Sequence, residues 1–519
     1  MTKEKILKSN VLFLLFVTGL VFLVYSNLIN GEFLNLDDIN GIVNNKPLMS
    51  VAESLKLNDL TVITESIVVH FFGMNPHALH ITSIVVHIIN CFLVFALTYL
   101  LFGRKVAIIT TLLFLAQPVN TESLGWLTAY GYILRAVLTF TILIFFILFK
   151  KTGKIIYLAI SSAVCLFSLY FFRSQGWMFV TPLILMILDQ FILEDKIKLR
   201  NIKYYLPYLV MSIFFAAQML PGLFKERVVG LNKLYYVNTS AATPLINRIP
   251  YTTYMAFGTM AFPKNLSVYH EGEILTSAKY ALMIVSTVTI IFAIFYFWKR
   301  NRKITGFILI IFFSILPSFS PIIIAWTAAE RYLYVASAFF SMMVAFLILW
   351  IQEKKNWRNF ALIATAVIFT TYAIRTYIRD NAYINSKNLW FATRITSPYS
   401  YRVYNNMGDV YASEGNQELA LENFKRSLAL KPDYADAVHN IGATYLQLGD
   451  IARAKKYLEQ SVAMNPLVFQ AWWKLGYIAF NEKNYVRAKE CFEKVLEIKP
   501  GDPETLSMLD RVNAALASK

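Results

Sequence analysis

Long apolar runs separated by short basic connectors fill most of the first 380 residues, whereas the last 120 or so are polar with apolar residues at helical spacing. A helix needs about 20 mostly apolar residues to cross lipid. Eleven stretches approach that length, near 11–29, 78–102, 106–121, 127–149, 155–172, 177–193, 204–221, 278–298, 304–324, 332–351 and 358–378. The run near 250–262 is short and bounded by Pro250 and Pro263, so it is expected to be re-entrant or interfacial. The first stretch follows MTKEKILKSN and has no clean small-x-small cleavage site behind it, so it is read as a retained span rather than a signal peptide.

The connectors give an orientation. Lys3, Lys5 and Lys8, then Arg104 and Lys105, KKTGK at 150–154, EDKIKLRNIK at 194–203, KRNRK at 299–303 and EKKNWR at 353–358 fall on one side if the spans alternate. Basic loops mark the cytoplasmic side. The N-terminus is therefore expected in the cytoplasm of a cytoplasmic or endoplasmic-reticulum-equivalent membrane. The longer loops near 30–77, 222–250 and 263–277 are expected outside. An odd span count would also place the C-terminal part on the outer, periplasmic or lumenal, side.

That C-terminal part is repetitive. Gly408, Gly442 and Gly476 are spaced by 34 residues, as are Pro432, Pro466 and Pro500, which is the tetratricopeptide period. Ala420, Ala454 and Ala488 sit where the two helices of each repeat cross, and Phe424, Leu458 and Phe492 fill the next helix face. Each helix pair buries its apolar face only against neighbours, so three repeats and a closing helix near 503–517 form a short solenoid. The expected fold is all-α: a membrane domain over 1–380, a connector over 381–400 and the repeats over 401–519.

Composition agrees. Hydrophobic residues make up 57% of the chain and charged residues 16%, against about a quarter charged in soluble domains. The net charge of +17 arises in short loops between apolar runs, so it reports topology and no nucleic-acid partner is expected. Cys91, Cys165 and Cys491 have no ligand spacing, which argues against a disulfide framework or a zinc site. P-loop, GxGxxG and GxSxG motifs are missing, so a sugar donor acting on the outer face would arrive on a lipid carrier rather than as a nucleotide.

Four segments carry candidate chemistry. Asp37 and Asp38 follow the first span among Phe33, Leu34, Leu36 and Ile39. A carboxylate at the membrane face can take a proton from an acceptor hydroxyl, or with a neighbour hold a divalent metal; a solvated loop would carry the same pair without function. Glu122, in AQPVNTESLGW, lies just beyond a span and could equally be a helix-start carboxylate with Thr121 as cap. Arg331, in AAERYLYVASAFF, enters a span from the outer side. It suits a lipid-linked phosphate, the alternatives being a local pair with Glu330 or snorkelling to headgroups. His80 and His87 share a helix face, where packing is a simpler role than metal ligation because no carboxylate lies at ligand spacing.

The order of these segments, followed by the repeats, resembles the transmembrane and tetratricopeptide-repeat protein O-mannosyltransferases, a branch of the GT-C glycosyltransferases. The resemblance covers nearly the whole chain. It implies that Asp37 and Asp38 match the family's outer-loop acidic pair. His80 and His87 match its histidines, with Asn90 following, and Pro118–Glu122 match PVxTE, with Asn120 where His is usual. PKNLSVYHE at 263–271 matches its LSV segment, and Glu330–Tyr334 match ERYLY, with Arg331 as the phosphate contact. Two departures stand out. AYGYIL at 129–134 lacks the Arg and Asp of the family's G-R-x-D, and Arg173-Ser174-Gln175-Gly176 replaces its K-E-x-G.

The expected function is transfer of a mannose-like monosaccharide from a polyprenyl-phosphate carrier to a protein or glycan hydroxyl on the outer face. Asp37 or Asp38 would act as base, Arg331 and Arg173 would steady the leaving phosphate, Glu122, His80 and His87 would complete the donor-binding residues, and the repeats would hold the acceptor. A divalent metal, magnesium or manganese, is left open. The competing reading is a non-enzymatic membrane-anchored scaffold whose repeats recruit cell-envelope partners.

Overall fold

The computed structural model describes residues 3–172, 179–194, 199–223, 245–270, 277–316 and 328–517. Among them the secondary structure is helical throughout, without a strand. The chain divides into two compact units. The larger takes in most of Met1–Leu389, and the smaller is Trp390–Lys519 together with, among the described residues, Tyr269 and His270.

In the larger unit, each of the eleven apolar stretches carries a helix. Among the described residues, six helices are long and apolar enough to cross a membrane: Leu7–Val24, Pro76–Phe102, Leu127–Thr152, Ser277–Arg300, Glu330–Lys355 and Phe360–Tyr383. The others are shorter, such as Ile155–Phe171 and Thr181–Ile192. Their surfaces suit lipid, because Leu282, Val285, Val288, Phe292 and Phe295 on one helix are all exposed, where a water-soluble protein would hide so large an apolar patch. The segment near 250–262 is part of a helix, Leu245–Ala261, that contains Pro250.

The region 30–77 departs from the loop expected there. It holds short turns at Ile39–Val43 and Lys46–Met49 and the helices Val51–Lys56 and Leu60–Phe72. Asp59 caps the last of these by accepting from the Thr61 N–H. The helix has a buried side and an exposed side: Ile63, Ser66 and Val69 are buried, while Ile67, Phe71 and Phe72 are exposed. At 13 residues it is too short to span, and its periodicity is hidden because both faces are largely apolar.

The smaller unit contains three helix pairs, Tyr401–Ser413 with Gln417–Leu430, Ala435–Gln447 with Ile451–Met464 and Phe469–Asn481 with Tyr485–Ile498, closed by Pro503–Ala517. The second helix of each pair begins with the same cap. Asn416, Asp450 and Asn484 accept from the backbone N–H three residues on, which satisfies a donor that the helix leaves open. The residue before each cap, Gly415, Gly449 or Lys483, adopts positive φ. The glycines of the 34-residue series explain themselves: a Cβ at Gly442 would lie 2.9 Å from Leu458 Cγ and 3.1 Å from its backbone nitrogen.

Candidate functional site

The sequence-marked segments of the larger unit meet. Glu122 lies in the short helix Thr121–Gly125, and Arg331 in the turn Glu330–Leu333 that leads into Tyr334–Lys355. Arg331 Nη1 donates to Glu122 Oε1 at 2.5 Å and its backbone N–H to Glu122 Oε2 at 3.2 Å. Both side chains are buried. Glu122 is thus both a carboxylate in the first turn of its helix and the partner of Arg331, and Thr121 makes no capping bond. The guanidinium also lies over the rings of Trp126 at 4.6 Å and Tyr332 at 5.0 Å, and such contacts stabilise a cation.

Glu330 does not pair with its neighbour Arg331. Its Oε2 faces Arg379 Nη2 at 2.5 Å, and its Oε1 accepts from the Ser267 N–H at 2.7 Å. The ERYLY turn is therefore tied through Glu122 to the PVNTE turn, through Ser267 to the LSV segment and through Arg379 to the helix Phe360–Asp380. Tyr334 adds a fourth tie, with its hydroxyl 2.5 Å from His87 Nδ1. Asn120, which stands in place of the usual histidine, donates to the Phe114 carbonyl and accepts from Ser337 Oγ at 3.0 Å. His80 is buried against Gly31, so closely that a Cβ at residue 31 would collide with its ring.

The two adjacent aspartates part company. Asp38 is fully buried and spent on anchoring: Oδ2 accepts from the Leu34 N–H at 3.0 Å, and Oδ1 from the Thr128 N–H and hydroxyl at 2.9 and 2.7 Å. Burial pushes its carboxyl up to about 6 against those three bonds. Asp37 is exposed. Nearby protein raises its carboxyl above the ordinary carboxylate range, while the Arg331 charge pulls the other way, so Asp37 and Arg331 share an electrostatic field. No group of three or more His, Cys, Asp or Glu among the described residues could hold a metal.

Arg173 lies outside the described residues. A different arginine stands nearby. Arg135 is 3% exposed and lines one cavity with Arg331. Arg135 follows directly on the stretch AYGYIL at 129–134, one residue beyond the segment that corresponds to the family's G-R-x-D. The signal was present, since a lone Arg near the start of the apolar run 127–149 is costly and marks a functional position by default.

Fold and site define a polytopic helical membrane protein with a tetratricopeptide array. Family models described as Tetratricopeptide repeat and TPR repeat match residues 439–503 and 408–449. Over most of its length the chain is homologous to proteins named protein O-mannosyl-transferase. F38B6.6 of Caenorhabditis elegans is 23% identical over 83% of this chain and 64% of its own. Human TMTC3 is 21% identical over 82% of this chain and 52% of its own. The chain thus spans less than two thirds of the length of these relatives. A solved structure described as the first TPR of Spaghetti (RPAP3) bound to an HSP90 peptide aligns with 23% of this chain at 24% identity, with a TM-score of 0.22. The repeat assignment stands on the period and the family models.

Proposed function

We propose that the protein is a membrane glycosyltransferase that moves a monosaccharide, mannose by analogy with its named relatives, from a polyprenyl-phosphate carrier to a hydroxyl of a protein or glycan on the outer face of the membrane. The observation that carries this reading is the convergence of the PVNTE, LSV and ERYLY turns around Arg331 and Glu122, with Asp37 within the field of Arg331.

The reaction is a single displacement. The acceptor oxygen bonds to the anomeric carbon as the bond from that carbon to the phosphate oxygen breaks, with inversion. The acceptor proton passes to the Asp37 carboxylate, which is exposed to an incoming acceptor whereas the Asp38 oxygens are buried and already accept three hydrogen bonds. Asp38 acts as a positioning residue, because its oxygens hold the Asp37 loop to Thr128. Arg331, fixed by Glu122, Trp126 and Tyr332, faces the charge that grows on the departing phosphate, and such a preorganised cation favours the transition state. His80 and His87 pack the wall behind these turns. The repeats hold the acceptor chain and raise its local concentration.

The test is reconstitution of the full chain with a radiolabelled polyprenyl-phosphate mannose and candidate acceptor polypeptides. Asp37→Asn and Arg331→Ala are expected to lower transfer at least a hundredfold, and Asp38→Asn by less. Full transfer by all three variants would sink the site. No transfer by wild type with any carrier-linked sugar, together with intact recruitment of partners by the repeats, would favour the scaffold reading.

A further inference from the structure

Two buried arginines at the convergent turns have carboxylate partners: Arg331 has Glu122 and Arg379 has Glu330. Arg135 has none. Its Nε and Nη2 are buried without a hydrogen-bond partner among the described residues. Its guanidinium lies 4.8 Å from the Tyr132 ring and 5.4 Å from that of Phe172. Aromatic faces stabilise a cation but leave its N–H donors unsatisfied. Asp59, whose field reaches Arg135, is engaged as a helix cap.

Arg135 is also part of the wall of a cavity. Arg135, Arg331, Tyr132, Tyr332, Thr181 and Ser314 line a partly open cavity of about 30 Å³. The Ser314 hydroxyl is likewise buried without a partner among the described residues. Two guanidinium groups and a free hydroxyl on one cavity call for an anion with several acceptor oxygens. Val180, Ile184 and Val335 add an apolar wall beside them, which suits the first methylenes of a lipid. Arg135 is five residues beyond Tyr130, where its helix starts, about 8 Å in at 1.5 Å per residue. That is headgroup depth rather than the centre of a bilayer.

We infer that this cavity seats the phosphate of the lipid carrier, with Arg135 and Arg331 gripping it and Ser314 as a third donor. The inference rests on the transferase reading for the identity of the lipid, and it assigns two residues that neither the motifs nor the relatives' names point to. Arg331 is neutralised by Glu122, so Arg135 supplies the uncompensated positive charge. An empty site leaves that charge buried and unpaired, which is unfavourable; the arriving phosphate relieves it.

The test uses the full chain in detergent with a short polyprenyl phosphate that carries no sugar, followed by thermal unfolding across a titration. Wild type is expected to gain in melting temperature. Arg135→Met should bind at least tenfold more weakly, and without ligand should melt no lower than wild type, because an unpaired buried charge has gone. Arg135→Lys keeps the charge but loses the forked donors, so roughly threefold to tenfold weaker binding is expected. Should Arg135→Met fail to fold, Ser314→Ala joins Arg135→Lys, and wild-type affinity in both overturns the site. So does a ligand-induced gain in Arg135→Met equal to that of wild type, or no gain in wild type. Inorganic phosphate and phosphatidylglycerol vesicles run in parallel. An equal Arg135-dependent response to either would replace the carrier with free phosphate or bulk lipid and overturn the assignment. Neither sugar nor acceptor is present, so a failure of the transferase reading would appear in the transfer assay and not in this one.

Discussion

At the residue scale, the pair Asp37 and Asp38 shows how neighbours in sequence acquire different chemistry. Asp38 accepts three hydrogen bonds and is sealed from solvent; Asp37 is exposed and feels Arg331. The raised carboxyl of Asp37 sets a pH dependence. In the proposed mechanism its carboxylate is the proton acceptor, so transfer is expected to fall as pH drops through a value above the ordinary aspartate range of about 4. The acid limb of a kcat/KM profile should therefore lie above that range, and it should vanish from the residual activity of Asp37→Asn. An unchanged limb in that variant would give the role to another group. The acidic pair and Arg331 could be picked out from the sequence by position and charge. Their division of labour could not, because it depends on Thr128, which lies 90 residues beyond Asp38. The Glu330–Arg379 pair was hidden for the same reason, and an adjacent Arg331 offered a false partner.

At the element scale, the repeats were the most legible part of the chain. A glycine, an alanine and a large apolar residue recur at fixed offsets because two helices must cross at the same point in every unit. Even the closing helix falls at Pro503–Ala517, against the expected 503–517. The crossing yields a contrast between two glycines in helices. Gly442→Ala puts a methyl against Leu458 and the Ala454 carbonyl oxygen, 3.2 Å away. It is expected to destabilise the repeats by ~1–3 kcal/mol despite the better helix propensity of alanine. Gly258→Ala meets nothing within 4 Å and should be neutral or stabilising by up to ~1 kcal/mol. Thermal unfolding followed by the fluorescence of Trp472 and Trp473 checks the first, and limited proteolysis across Leu245–Ala261 the second. Equal effects of the two substitutions would contradict this account. The helix Leu60–Phe72 was illegible for a converse reason: with apolar residues on nearly every face, no periodic stripe distinguishes core from lipid.

At the scale of the whole molecule, the connector charges predict a sidedness that can be measured directly. The three native cysteines are buried, so a single introduced thiol should dominate labelling. Lys355 and Glu422 are exposed. With the basic connectors in the cytoplasm, Lys355→Cys is expected to react with a membrane-impermeant maleimide only after permeabilisation, whereas Glu422→Cys reacts in intact cells. The reverse pattern for Glu422→Cys would mean an even number of spans and would separate the repeats from the acceptor side.

The ion pair of Glu122 with Arg331 joins positions 209 residues apart. A ribosome adds about 5–20 residues each second, so the carboxylate enters the membrane environment roughly 10–40 s before its arginine has been made. Through that interval it must stay at the aqueous edge or carry a proton. The PVNTE turn therefore cannot settle into its final place until the ERYLY segment arrives, and His87 waits still longer for Tyr334, 247 residues on. The heart of the membrane body is thus among the last parts to close during synthesis, and a chain interrupted before residue 331 would leave an unpaired acid for the quality-control machinery of the membrane to detect.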